Sequence, residues 1–144
     1  MTDNDLDHFI PAQQSVLAQV VAELNAGRKE THWMWFIFPQ LAGLGHSPTA
    51  KFYAIKDLRH AQRYLADPVL GSRLRQHVGL LLQHTDKTAH DILGAPDDRK
   101  LQSCLTLFKA ASSTQDDRDL FEKGLRRFYS GEPDRHTLEL IQTH

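Results

Sequence analysis

Apolar side chains recur at helical spacing along nearly the whole chain. Three stripes of positions separated by three or four residues are Val16–Leu24, Val69–Leu82 and Leu101–Phe108. Such stripes are typical of helices that bury one face against a core. Gly27 follows the first stripe at the position of a left-handed C-terminal cap, so the first long helix is predicted to end there.

Helix-starting residues support the same division of the chain. Side chains suited to an N-cap precede several predicted helices: Ser47, Asp57, Thr88, Asp116 and Asp134. Pro96 stands at a first helical position and is followed by two aspartates, which suit the positive end of a helix dipole. No segment alternates apolar and polar residues in the manner of a paired strand. The pattern predicts one all-α domain, residues 1–144, of about seven to nine helices.

The stretch "ETHWMWFIFPQ", residues 30–40, breaks the amphipathic pattern. Its apolar run, Trp33–Phe38, contains both tryptophans of the chain. As a strand it would place His32, Met34, Phe36 and Phe38 on one face, but no partner strand is predicted. A helix that is apolar all round is typical of a central buried element. We therefore expect a short buried aromatic helix at about 30–38.

Composition narrows the classes of function. The chain of 144 residues carries 17 basic and 18 acidic residues, a formal net charge of −1, which favours neither nucleic acid nor an anionic membrane as a partner. A single cysteine, Cys104, excludes an intramolecular disulfide and a multi-thiolate zinc site. Nine histidines include no pair four residues apart, so neither a metal nor a cofactor is predicted. The N-terminus lacks a signal-like apolar core, and we expect a cytoplasmic protein.

Candidate chemistry lies first at the edges of the aromatic run. His32 precedes the run and Gln40 ends it. The indole rings of Trp33 and Trp35 offer stacking surfaces and one N–H donor each, which suits a pocket for a planar ring. Most of the run is nevertheless expected to be core, because aromatic side chains dominate cores through their buried area.

A second set of polar residues lies in "PDDRKLQSCLTLF", residues 96–108. Asp97 and Lys100 are three positions apart and can pair on a helix surface. Lys100 could alternatively contact an anion, with Ser103 and Thr106 as hydroxyl donors. The lysine precedes the serine, so the Ser-x-x-Lys order of acylating serine enzymes is absent. Ser47, at a helix start, is a further candidate anion contact.

Several longer segments resemble a bacterial family, the domain of unknown function 1810. They are "GRKETHWMWFIFPQLAGLGHSPTAKFYAI", "LADPVLGSRL", "ILGAPDDRKLQSCLTLF" and "GEPDRHTLEL", and the resemblance runs roughly from Leu6 to Leu140. Positions that match the family's hallmarks are His32, Trp33, Trp35, Phe38, Pro39, Gln40, Gly43, Gly45, Ser47, Tyr53, Pro68, Gly71, Leu74, Asp97, Lys100, Ser103, Thr106, Leu107 and Phe108. The resemblance implies a compact, mostly helical domain and no established activity. Cys104-Leu105 departs from the Ser-Met typical of the family, which argues against a catalytic cysteine.

Three hypotheses of function follow. The first is a pocket for a small, polar or anionic, partly planar ligand, with His32 as the titratable group, Trp33 and Trp35 as walls and Lys100 as the anion contact. The second is a hydrolase or transferase acting on a nucleotide or an ADP-ribose-like substrate, with Asp97 or His32 as general acid or base. The third is a protein-interaction module without a pocket. Some family members are labelled calpastatin, but calpain inhibition requires disordered repeats, and this chain is patterned as folded throughout.

Overall fold

Helices account for all the regular secondary structure in residues 5–143, which are the residues that the computed structural model describes. Ten helices lie in this range: α1 (Phe9–Gln14), α2 (Leu17–Ala26), α3 (Met34–Ile37), α4 (Pro48–Phe52), α5 (Leu58–Ala66), α6 (Leu70–Leu82), α7 (Ala89–Leu93), α8 (Asp97–Ala111), α9 (Gln115–Tyr129) and α10 (Arg135–Thr143). The all-α class is confirmed. The predicted number, seven to nine, is slightly low because short segments such as α1 form helices of their own.

Local sequence determines several helix ends as predicted. Ser47 Oγ accepts the Ala50 N–H at 3.1 Å at the start of α4, and Asp57 caps α5 in the same way. Thr88 starts α7 with a reciprocal capping box. Gly27 ends α2 in the left-handed region, with φ +73°. The start of α9 was predicted wrongly, since its N-cap is Thr114 rather than Asp116.

Helix α8 is the centre of the molecule. It packs against α5, α7, α9 and α10, while α6 packs against α2, α5 and α9. Eight of its residues are buried. Among them Cys104 is fully buried in the apolar core, as expected for a cysteine on an apolar stripe. The polar face of α8 begins at its N-terminal end, where Asp97 and Lys100 are only partly exposed.

The aromatic run forms the short helix α3 and the residues at its two ends. Trp33, Met34, Ile37 and Phe38 are buried, whereas Trp35 and Phe36 are partly exposed. The predicted short buried helix is therefore confirmed, with one tryptophan inside the core and the other at its edge.

An isolated parallel β-bridge joins Leu41 to Ile55 just after α3. The Ala42 N–H donates to the Ile55 carbonyl, and the Ile55 N–H donates to the Gln40 carbonyl, both at 2.8 Å. These bonds fix the backbone of Gln40 next to the core. In the described range, 5–143, no helix has the length and apolar character needed to cross a bilayer.

Candidate functional site

Glu23 on α2 anchors the segment that leads into the aromatic helix. Its carboxylate is buried and accepts hydrogen bonds from the backbone N–H groups of Glu30 and Thr31, the Thr31 hydroxyl, the Gln19 amide and Trp33 Nε1. Burial acts to raise the pKa of this carboxyl, but the hydrogen bonds outweigh burial and lower the pKa to about 2. A charged carboxylate therefore holds Trp33 and the preceding loop in place.

A chain of charges connects this segment to α8. Lys29 Nζ lies 2.9 Å from Asp97 Oδ2, and Lys100 Nζ lies 3.4 Å from Asp97 Oδ1. Each ammonium group also lies over an indole ring: Lys29 is 5.0 Å from the centroid of Trp33, and Lys100 is 5.4 Å from that of Trp35. The predicted pair of Asp97 and Lys100 is confirmed, and Asp97 is shared with a second lysine that the sequence did not connect to it.

A groove of about 320 Å³ lies beside Lys100, and we call it the α8–α10 groove. One wall is the loop after α3, the second is the N-terminal end of α8, and the third is the start of α10. Its lining residues are Gln40, Leu44, Gly45, Pro96, Arg99, Lys100, Ser103, Asp134 and His136. The volume is at the lower end of the range for small-molecule sites.

Within residues 5–143, two basic side chains of the α8–α10 groove lack a hydrogen-bonding partner, whereas the carboxylate of the groove has one. Arg99 and His136 are exposed, and neither side chain has a hydrogen bond or ion pair within residues 5–143. Asp134, the one acidic residue of the lining, already accepts hydrogen bonds from the Thr137 N–H at 2.9 Å and hydroxyl at 2.5 Å. Asp134 thus caps α10, as predicted, and its single negative charge is exceeded by the two positive charges of Arg99 and Lys100 in the same lining.

Two glycines allow the loop wall to pack tightly. A Cβ at Gly45 would lie 2.6 Å from the Cβ of Ala50, closer than real side chains approach. Gly43 has φ +103°, a conformation that favours glycine, and an added Cβ would lie 3.3 Å from Leu140 of α10. The loop, α4 and α10 therefore depend on these glycines to approach one another around the groove.

Three of the predicted ligand-binding residues line the α8–α10 groove together. Gln40 comes from the loop wall, and Lys100 and Ser103 come from one face of α8. The Ser103 hydroxyl donates to the Arg99 carbonyl oxygen at 3.3 Å, so it would have to rotate to donate to a ligand. Trp35 lies beneath Lys100 and, with Tyr53, lines an adjoining cleft of about 10 Å³. That cleft has room for about one water molecule.

The other predicted residues lie outside the α8–α10 groove. Trp33 is fully buried, whereas His32, the residue directly before it, is exposed. The Ser47 hydroxyl caps α4 and accepts the Ala50 N–H. The Thr106 hydroxyl is buried, donates to the Gln102 carbonyl and accepts the Asp134 N–H, both at 2.8 Å. Thr106 thus helps to position α10 against α8.

Arg99, Asp134 and His136 were missed as groove residues. Arg99 could have been found, because Pro96, Arg99, Lys100 and Ser103 lie on one face of a helix at spacings of three and four. Nothing local in the sequence indicates that the start of α10 lies against α8. Within the described part of the chain no three His, Cys, Asp or Glu side chains are grouped so as to hold a metal ion.

Nearly the whole chain is similar to a solved structure. The conserved hypothetical protein Rv1873 from Mycobacterium tuberculosis shares 46% sequence identity, superimposes with a TM-score of 0.92, and is matched over 96% of this chain and 96% of that chain. None of the curated proteins matches. The sequence profile described as "Protein of unknown function (DUF1810)" matches residues 3–141. The chain therefore belongs to the DUF1810 family of proteins of unknown function.

Proposed function

We propose that the protein binds a small anionic ligand in the α8–α10 groove. The proposal rests on one observation. Arg99 and Lys100 both line a groove whose one carboxylate, that of Asp134, already caps α10. The guanidinium of Arg99, which has no side-chain partner within residues 5–143, is well suited to bind a phosphate or carboxylate through two N–H donors. Gln40, whose side chain has no hydrogen bond within residues 5–143, adds an uncharged polar group.

The position of Lys100 supports the same proposal. Its ammonium group is held by Asp97 and by the face of Trp35, so its place at the groove is set before a ligand arrives. Asp97 also pairs with Lys29, and the three groups together carry a net charge of +1 at neutral pH. A preorganised cation binds an anion with a smaller loss of side-chain entropy than a mobile one.

The geometry favours a compact anion over a ligand with a stacked planar ring. The cleft between Trp35 and Tyr53 has a volume of about 10 Å³, and one face of the Trp35 ring is occupied by Lys100. Phosphate, pyrophosphate and the phosphate of a sugar phosphate need no stacking surface. A nucleotide would bind through its phosphates, with the base outside this cleft.

A larger cavity, about 480 Å³, lies between α5 and the start of α9, but two of its three arginines, Arg63 and Arg75, are engaged with carboxylates. Arg75 binds Asp117 and Arg63 binds Asp5, each through two nitrogens with shortest distances of 2.7 Å. Within residues 5–143, Arg59 is thus the one arginine of this lining without a carboxylate partner, whereas Arg99 and Lys100 face the α8–α10 groove together.

Hydrolase or transferase chemistry has less support from the geometry. Asp97, one of the two proposed acid–base groups, lies between two ammonium groups, and His32 is not part of the groove lining. A general base must reach the proton that it removes in a bound substrate. Asp97 could act as one only after giving up its contacts with Lys29 and Lys100.

Thermal unfolding in the presence of candidate anions tests the proposal. Inorganic phosphate, pyrophosphate, sugar phosphates and nucleotides are compared at one ionic strength, because salt weakens exposed charge contacts. A ligand at 100 times its dissociation constant stabilises the folded protein by about 2.7 kcal/mol, which raises the melting temperature by several degrees.

Two variants locate the site. Arg99→Gln and Lys100→Gln should each reduce the ligand-induced shift, whereas Arg59→Gln, an exposed arginine in the larger cavity, should leave it unchanged. A shift that is lost in Arg59→Gln and kept in Arg99→Gln would place the anion in the other cavity. No shift with any of these anions would overturn the proposal.

A further inference from the structure

A second groove, on the other side of Thr106, has a different chemical character. We propose that it binds an aliphatic carboxylate, such as a medium-chain fatty acid, and we call it the Leu138 groove. It has a volume of about 380 Å³ and lies between α8, α9 and α10. Its apolar wall is formed by Ala110, Leu125, Pro133 and Leu138, and its basic residues are Lys109 and Arg118.

The apolar wall includes a leucine that the fold leaves exposed. Leu138 retains 38% of its accessible surface, although its neighbour Thr137 is fully buried. In the described range only Phe52 and Val69 are other large apolar residues with such exposure. A hydrocarbon chain in the groove would cover Leu138 together with the exposed Ala110 and Pro133.

The basic residues mark where the head group of the ligand would lie. Arg118 and Leu125 are seven positions apart on α9, two turns along the same face, so the cation and the apolar surface lie about 10 Å apart along the helix. The Arg118 guanidinium donates to the Gln115 side-chain oxygen at 3.0 Å and to the Ser112 carbonyl at 3.4 Å, both neutral acceptors. Its charge has no carboxylate partner within residues 5–143.

Lys109 adds a second positive group. Its ammonium lies 2.6 Å from Glu122 Oε1, while the other oxygen of Glu122 accepts from Arg126 Nε at 2.7 Å. Glu122 is thus shared between two cations, and the lining of the Leu138 groove itself contains Lys109 and Arg118 and no acidic residue. Thr106, also in the lining, has its hydroxyl engaged on both sides, so the ligand's carboxylate is expected at Arg118 and Lys109.

Calorimetric titration of the intact protein tests both halves of the proposal. Octanoate and decanoate are used below their aggregation concentrations, with decyltrimethylammonium as a cation of equal chain length. Each buried methylene should increase affinity about four-fold, so decanoate should bind about sixteen-fold more tightly than octanoate. The cationic compound should bind more weakly than decanoate, because its head group meets Arg118 and Lys109.

Matched variants locate the binding. Leu138→Asn should weaken decanoate binding and Val69→Asn should not, since Leu138 and Val69 have nearly equal exposure, 38% and 39%. Leu138→Ala is a milder substitution that tests the same contact if the asparagine variant is unstable. Arg118→Gln should weaken decanoate binding about ten-fold or more, as expected for a lost charge-assisted hydrogen bond.

Four outcomes would overturn the proposal. Two concern the chain of the ligand: no heat of binding with decanoate, or equal affinity for octanoate and decanoate. The other two are equal affinity for decanoate and decyltrimethylammonium, and equal effects of Leu138→Asn and Val69→Asn on decanoate binding. Sedimentation velocity adds a fifth, because a dimer that Leu138→Asn dissociates would make the groove an interface between two copies. None of these outcomes depends on Arg99 or Lys100. This proposal can therefore fail while the proposal of anion binding in the α8–α10 groove holds.

Discussion

Replacement of Glu23 by glutamine should strongly destabilise the loop that carries Trp33. The substitution keeps the size of the side chain but turns one carboxylate oxygen into an NH₂ donor. Glu23 Oε2 now accepts from the Thr31 hydroxyl at 2.6 Å and from the Gln19 amide at 2.8 Å, so an amide at that position would face two donors. The opposite amide orientation would instead disturb the bonds from Glu30, Thr31 and Trp33 to Oε1.

The size of the effect follows from the pKa of Glu23. The difference between a pKa of about 2 in the folded protein and 4.5 in the unfolded chain corresponds to about 3 kcal/mol of folding stability at neutral pH. Because the folded pKa is the lower one, this stability is complete above pH 4.5 and is lost as the pH falls towards 2. Between pH 7 and pH 3.5 the wild-type protein should lose about 1 kcal/mol from this group alone.

Urea unfolding followed by tryptophan fluorescence measures these differences. Glu23→Gln should lower the free energy of unfolding by about 3 kcal/mol at pH 7, and the gap to wild type should narrow at pH 3.5. The neighbouring Glu30→Gln removes an exposed carboxylate and should change stability by less than about 0.5 kcal/mol. Equal stabilities of Glu23→Gln and wild type, or a gap that does not depend on pH, would refute the role given to this carboxylate.

Three further predictions concern His77, Cys104 and Asp97. Burial, with the charge of Arg73, lowers the pKa of His77 from 6.5 to about 4, so lowering the pH from 6.5 to 5 should remove about 2 kcal/mol of stability. The His77→Leu variant should lose that part of the pH dependence in urea titrations. An unchanged dependence of stability on pH in this variant would contradict the prediction. Burial raises the pKa of the Cys104 thiol, so Ellman's reagent should react with it in urea and not in the native protein; rapid native reaction would show that the site is open. Asp97→Asn should lower the melting temperature more than Asp98→Asn does, since it leaves the nearly buried Lys29 without its carboxylate. Equal changes of melting temperature in the two variants would argue against a stabilising role for the ion pairs of Asp97.

Local signals in the sequence were sufficient for much of the helical framework. Ser47, Asp57 and Thr88 cap the helices that follow them because a cap depends on residues three positions apart. Short helices were harder to count, since a helix of four to six residues, such as α1 or α3, contains too few positions for a periodic pattern. The start of α9 was harder to predict, because Thr114 and Asp116 are both residues that cap helices well.

The α8–α10 groove was predictable only in part. Lys100 and Ser103 share a helix face, which the helical spacing of the sequence indicates, and the structure places them beside Gln40. Which tryptophan would face outward depended on Glu23, a residue of α2 that binds Trp33 Nε1 at 2.9 Å. His136 and Asp134 reach the groove only because α10 packs against α8, and such long-range packing leaves no local pattern.

Anion binding by Arg99 and Lys100 is the central claim, and an NMR titration of the ¹⁵N-labelled protein with inorganic pyrophosphate tests it most directly. We expect concentration-dependent shifts in the backbone amides of residues 40–45, 97–103 and 134–137, which surround the α8–α10 groove. In the double variant Arg99→Gln/Lys100→Gln these shifts should disappear while the remaining spectrum stays folded. Shifts that cluster around Arg59 instead, or that persist in the double variant, would contradict the claim.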